Sequence, residues 1–132
     1  MNAGRITRVG AVALSLGWMG VIFGLSSMSG SSVPGRFSTA AHFVVYAILG
    51  ALYLWALPHS ERAWPTALAA VALASLYGVT DEFHQSFVPG RMPDPADWLV
   101  DTAGALSAVL LIVGVRRVLA ARGSGRTATP DQ

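Results

Sequence analysis

"WPTALAAVALASLYGV", residues 64–79, decides which solvent this chain folds in. Wound as a helix, the stretch offers only Thr66, Ser75 and Tyr77 as polar side chains. A helix packed against a water-soluble core needs a continuous polar stripe on its outer face. Three scattered hydroxyls do not make one, so the outer face of this helix has to meet lipid. The stretch is also long enough to matter, because a helix needs about 20 apolar residues to cross the hydrocarbon core.

The same pattern occurs three more times. Helices are expected at about 9–26, 39–57, 64–85 and 95–118, each centred on an apolar run. The 132 residues are 53% hydrophobic and 12% charged, against roughly a quarter charged in ordinary soluble domains. A soluble domain of this size could not hide that much apolar surface. The expected fold is therefore all-α, an integral membrane four-helix bundle. A cleaved signal peptide at the N-terminus is the rival for residues 1–25, with Arg5 and Arg8 as its basic start. The stretch "GLSSMSG" makes a poor cleavage site, and the segment reads as the first helix.

All nine basic residues are arginine. Arg5 and Arg8 precede the first helix, Arg62 lies between the second and third, and Arg116, Arg117, Arg122 and Arg126 follow the fourth. Only Arg36 and Arg91 fall in the other two connections. The excess of arginine on one side predicts cytoplasmic N- and C-termini. The basic balance belongs to these flanks, and no nucleic-acid surface is expected. Trp55, Trp64 and Trp98 stand near segment ends, where an indole can sit half wet at headgroup level. Residues 1–118 are expected to form the membrane domain. Residues 119–132 lack apolar anchors at their end and are expected to be a disordered cytoplasmic tail.

The charge inside the hydrophobic part is concentrated. Residues 76–101, "LYGVTDEFHQSFVPGRMPDPADWLVD", hold five of the seven carboxylates. On a helix, Tyr77, Asp81, His84 and Gln85 share one face at the end of the third segment, while Glu82 is turned by about 100°. "DPADWLVD" reads as a helix start, with Asp94 as N-cap and Pro95 in the first position. Asp97 and Asp101 then lie one turn apart. A carboxylate at the depth of Asp101 cannot face lipid cheaply and needs a partner or a polar cavity. His42, Arg36 and Arg91 are on the same side. The expected result is an outward-facing polar pocket formed by Arg36, His42, Tyr77, Asp81, Glu82, His84, Gln85, Arg91, Asp97 and Asp101.

The two outer connections share Val-Pro-Gly-Arg, at 33–36 and 88–91, an offset of 55 residues. Pro-Gly suits the centre of a type II turn. Two parallel hairpin repeats, related by an axis along the membrane normal, would account for the offset; chance recurrence of a common turn is the alternative.

These motifs resemble the VanZ-like family of small bacterial membrane proteins. The matching residues are Tyr77, Gly78, Asp81, Glu82, His84, Gln85, Pro89, Gly90, Arg91, Asp97, Asp101 and Gly104. An earlier pair of motifs joins them: Ser-Ser at the end of "WMGVIFGLSS", and His-Phe-x-x-Tyr-x-x-Leu-Gly at 42–50. Met28 and Thr39 stand where members often carry glutamine and lysine. The resemblance implies a multi-pass protein of the bacterial cytoplasmic membrane, linked in some members to reduced teicoplanin susceptibility.

Three functions fit these readings. The first is a non-enzymatic protein that binds or modulates a cell-envelope ligand, such as a lipid-linked precursor or a lipoglycopeptide, and contributes to glycopeptide resistance. The second is a hydrolase or transferase on a lipid-linked substrate, with Asp81, Glu82 and His84 as catalytic candidates. The third is a structural subunit of a larger membrane complex, or a homodimer. No cofactor and no metal centre are expected: there is no cysteine, and Asp-Glu-x-His-Gln is not a zinc-helix signature. Ligation of a hard divalent cation by three or more of Asp81, Glu82, His84, Asp97 and Asp101 is the exception left open.

Overall fold

In a computed structural model of the chain, residues 3–29, 35–58 and 62–124 are described, with the backbone alone at 3–6, 35–38 and 124. Four helices follow in order: α1 Ala3–Ser26, α2 Gly35–Ala56, α3 Ala63–Gln85 and α4 Pro95–Ser124. There is no strand among the described residues. Each helix contains a segment long and apolar enough to cross a bilayer, of 20, 18, 23 and 29 residues.

The outer surface agrees with that solvent. Leu16, Leu68, Leu76, Phe83 and Leu111 are all more than half exposed, Leu68 at 71%. In water such a girdle of large apolar side chains would mark an aggregating protein. Against lipid tails it costs nothing. The interior instead is lean, with Ala67, Ala70, Ala74 and Ala105 buried beside Tyr46, Leu49, Leu54 and Val109. Small residues let membrane helices approach through their backbones.

Nowhere is that closer than between α2 and α4, the most extensive packing in the bundle. A methyl group on Gly104 would overlap the Phe43 carbonyl, and one on Gly50 would lie 2.9 Å from the Ala105 Cα. Side chains then tie α3 to α4. Thr102 donates its proton to the Trp98 carbonyl (3.0 Å), so Ser75, 2.9 Å from Thr102, must be the donor between those hydroxyls. The Trp98 indole N–H closes the ring on Ser75 Oγ at 3.1 Å. Trp98 is half-buried, with its indole N–H directed to α3. Trp64 has the expected half-wet position, 57% exposed and with the Arg117 guanidinium over its ring.

Three boundaries differ from expectation, the first being that α2 starts at Gly35 rather than at 39. α1 starts at Ala3 and α4 runs to Ser124, so residues 119–124 are helix rather than tail; residues 125–132 lie outside the described residues. An apolar run marks the part of a helix inside the hydrocarbon, not its ends. "RRVLAAR" consists mostly of strong helix formers whose arginines can reach the headgroups.

The two hairpins are also less alike than the repeat predicts. Val88–Arg91 forms the type II turn, with Arg91 N donating to Val88 O at 3.1 Å and Gly90 at φ 75°. In the first hairpin Gly35 already belongs to α2, and Pro34 lies outside the described residues. α2 touches α3, whereas α1 and α4 do not touch among the described residues. A two-fold axis would make those two contacts equivalent.

Candidate functional site

The polar residues gather at the end of the bundle that carries the α1–α2 and α3–α4 connections. His42, about two turns inside α2, places Nδ1 2.9 Å from Oδ1 of Asp101, which is fully buried nearly two turns inside α4. Asp81 and Gln85, four residues apart on α3, are 3% and 2% exposed, and the Gln85 amide donates to Asp81 Oδ2 at 3.1 Å. The spacing accounts for the pair, because residues at i and i+4 stack on one helix face.

Glu82 points elsewhere, as its helical phase requires. Its Oε2 accepts the backbone N–H of Asp94 at 2.8 Å. Asp94 in turn caps α4, with Oδ1 2.9 Å from the Ala96 N–H. The loop between α3 and α4 is therefore pinned at both ends by carboxylates, and its turn delivers Arg91 to the end of α1.

There Arg91 divides its donors. Nε bonds the Met28 carbonyl at 3.1 Å, a terminal nitrogen bonds the Leu25 carbonyl at 3.3 Å, and the other meets Gln85 Oε1 at 3.4 Å. The last carbonyls of a helix have no internal partner, and a cation there also complements the helix dipole. Arg91 thus closes α1 and links it to α3. It was expected in the outward-facing pocket, and all three of its nitrogens are engaged in holding these ends together.

His84 leaves the Asp81–Gln85 pair and faces α1. Its ring stacks on Phe23 with centroids 4.2 Å apart, and its Nε2 is 3.0 Å from Ser27 Oγ. The Ser27 hydroxyl donates to the Phe23 carbonyl at 2.7 Å. Its one proton being committed, Ser27 accepts from His84, which therefore carries its proton on Nε2. That polarity is opposite to the one a general base needs toward a serine nucleophile.

Tyr77 donates to the Met19 carbonyl at 2.7 Å, another tie from α3 to α1. Asp97 is half-buried in the first turn of α4. Arg36 lies in the first turn of α2, and its side chain is outside the described residues. Eight of the ten expected residues thus serve three purposes in the structure: His42, Asp81, Gln85 and Asp101 form the buried polar core, Glu82 and Arg91 hold the loop, and Tyr77 and His84 dock α1.

Between α1 and α2 lies a cavity of about 90 Å³. Its lining combines the polar Ser26, His42, Asp81 and Arg91 with Ile22, Leu25, Val45 and Tyr46. Ser26, Ser27 and Tyr46 were not among the expected site residues. The signals for them were present: Ser-Ser closing α1, and Tyr46 one turn after His42.

Among the described residues, three buried polar atoms in this region have no hydrogen-bond partner: Tyr46 Oη, Glu82 Oε1 and Asp101 Oδ2. No curated protein and no solved structure matches the chain. Residues 11–117, from the middle of α1 to the last third of α4, do match a known family, and they include every residue of the buried polar core. The chain belongs to the VanZ/LLP1 family.

Proposed function

We propose that the protein binds the polar end of an amphiphilic cell-envelope ligand in the α1–α2 cavity, and through it lowers the action of a lipid-tailed glycopeptide such as teicoplanin. The observation that carries the reading is the cavity's mixed lining, which joins His42 and Asp81 to Ile22, Leu25 and Val45. Such a surface suits a molecule with a charged head and an apolar chain. Its 90 Å³ is well below the few hundred Å³ that enclose a drug-sized ligand. The cavity takes one headgroup fragment, and the rest of the ligand lies along the helices in the lipid.

Family membership supports the link to glycopeptides, and the arginine distribution supports an outward-facing cavity on a bacterial cytoplasmic membrane. The enzyme reading gains nothing from the Ser27–His84 pair, whose proton points the wrong way for activating the serine.

The test is a susceptibility comparison in a sensitive host carrying the wild type or Asp81→Asn, with equal membrane levels by immunoblot and vancomycin beside teicoplanin. Wild type is expected to raise the inhibitory concentration of teicoplanin more than that of vancomycin, and the variant to lose that protection. Equal protection by the variant would remove the cavity from the function. No protection by the wild type would remove the glycopeptide part.

A further inference from the structure

His42 on α2, Glu82 on α3 and Asp101 on α4 approach one another so that one ligand-capable atom from each lies within 4.8 Å of the others. Asp101 has no exposed surface, and its Oδ2 has no hydrogen-bond partner among the described residues; nor does the buried Oε1 of Glu82. A buried carboxylate oxygen without a partner loses its hydration and gains nothing in return. The His42–Asp101 hydrogen bond accounts for one of Asp101's oxygens and leaves the other open.

The open oxygen has a defined place. A methyl group on Gly78 would come within 3.3 Å of Asp101 Oδ2, so the missing side chain at Gly78 makes room for it against α3. Glu82 follows Gly78 by four residues, on the same face of α3. Both unpartnered oxygens are therefore found along one strip of helix, with the His42 imidazole on the facing helix. A water molecule would satisfy one oxygen but would leave two carboxylates close together at the membrane end of the bundle. Arg91, the nearest fully charged side chain on this loop, is directed to Gln85 and to the α1 carbonyls.

We propose that His42, Glu82 and Asp101 bind a divalent transition-metal cation of the Zn²⁺ or Mn²⁺ kind. One imidazole and two carboxylates form a nitrogen–oxygen set of the sort such ions take. Bonds of about 2.0–2.2 Å put neighbouring donors about 3.0–3.5 Å apart, so the three side chains draw together as the ion binds. The ion takes the place of the His42 Nδ1–Asp101 Oδ1 hydrogen bond. The cation ties α2, α3 and α4 together at one end, and three protein ligands leave it a further coordination position. This assignment is independent of the proposed envelope ligand.

The full chain in detergent is titrated with Zn²⁺ against a chromophoric chelator. Saturable binding of one ion is expected, weakened roughly tenfold or more in each of His42→Gln, Glu82→Gln and Asp101→Asn. Asp94→Asn is the control, because asparagine caps a helix as well as aspartate while removing a nearby carboxylate; its affinity is expected to match wild type. No saturable binding by wild type, or unchanged affinity in the three variants, would overturn the assignment. X-ray absorption at the zinc edge of the loaded wild type needs no variant. One imidazole with oxygen donors is expected, and two or more imidazoles, or none, would place the ion elsewhere and sink the proposal.

Discussion

Arg91 spreads its donors over two helices, meeting the Met28 and Leu25 carbonyls of α1 and the Gln85 amide oxygen of α3. A lysine has the same charge but only one nitrogen, and it cannot span three acceptors as a planar fork does. Arg91→Lys is therefore expected to destabilise the fold by about 1–2 kcal/mol, the net worth of one or two charge-assisted bonds at a half-exposed position. The check is the thermal unfolding midpoint in detergent. An unchanged midpoint would mean that the fork is free for a ligand after all. His84 illustrates the same scale from the other side. Its helical phase put it with Tyr77, Asp81 and Gln85, and α3 does carry all four toward the bundle. Whether an imidazole turns toward an acid or a ring depends on what the neighbouring helix presents, and Phe23 lies on another helix, outside anything the α3 sequence can show.

Helix existence was legible because lipid enforces it: a backbone crossing hydrocarbon has to satisfy its own hydrogen bonds, so each long apolar run had to be a helix. Helix ends were less legible, since the apolar run stops at the headgroups and the backbone does not. Helix partners were legible only in outline. "DTAGALSA" at 101–108 showed a groove of small residues, but not that its closest guest is the Phe43 carbonyl. That contact makes a sharp comparison possible. Gly104→Ala is expected to push α4 away from α2 and cost about 1–3 kcal/mol, the usual range for overpacking a tight interface. Gly114→Ala, on the same helix, meets nothing within 4 Å and is expected to be neutral or slightly stabilising through better helix propensity. Unfolding in detergent reads both, and a Gly104→Ala protein as stable as Gly114→Ala would refute the close crossing of α2 and α4.

For the molecule as a whole, the buried polar groups sit at one end and the arginine-rich flanks at the other, and this polarity gives the cavity its direction. The asymmetric contacts matter here too: α1 leans on α2 and α3 but not on α4 among the described residues, so the cavity at its edge is formed by a helix with few competing attachments. Arg91, Tyr77 and His84 are among the groups that fasten it. The chain has no cysteine, so a single introduced thiol reports one position without background. Met92, 87% exposed in the α3–α4 connection, and Arg122, at the far end of α4, bracket the membrane. A charged maleimide that cannot cross membranes is expected to label Met92→Cys in intact cells and Arg122→Cys only after permeabilisation. The reverse pattern would put the polar pocket on the cytoplasmic side, where it could not meet an extracellular antibiotic or an outer-leaflet headgroup.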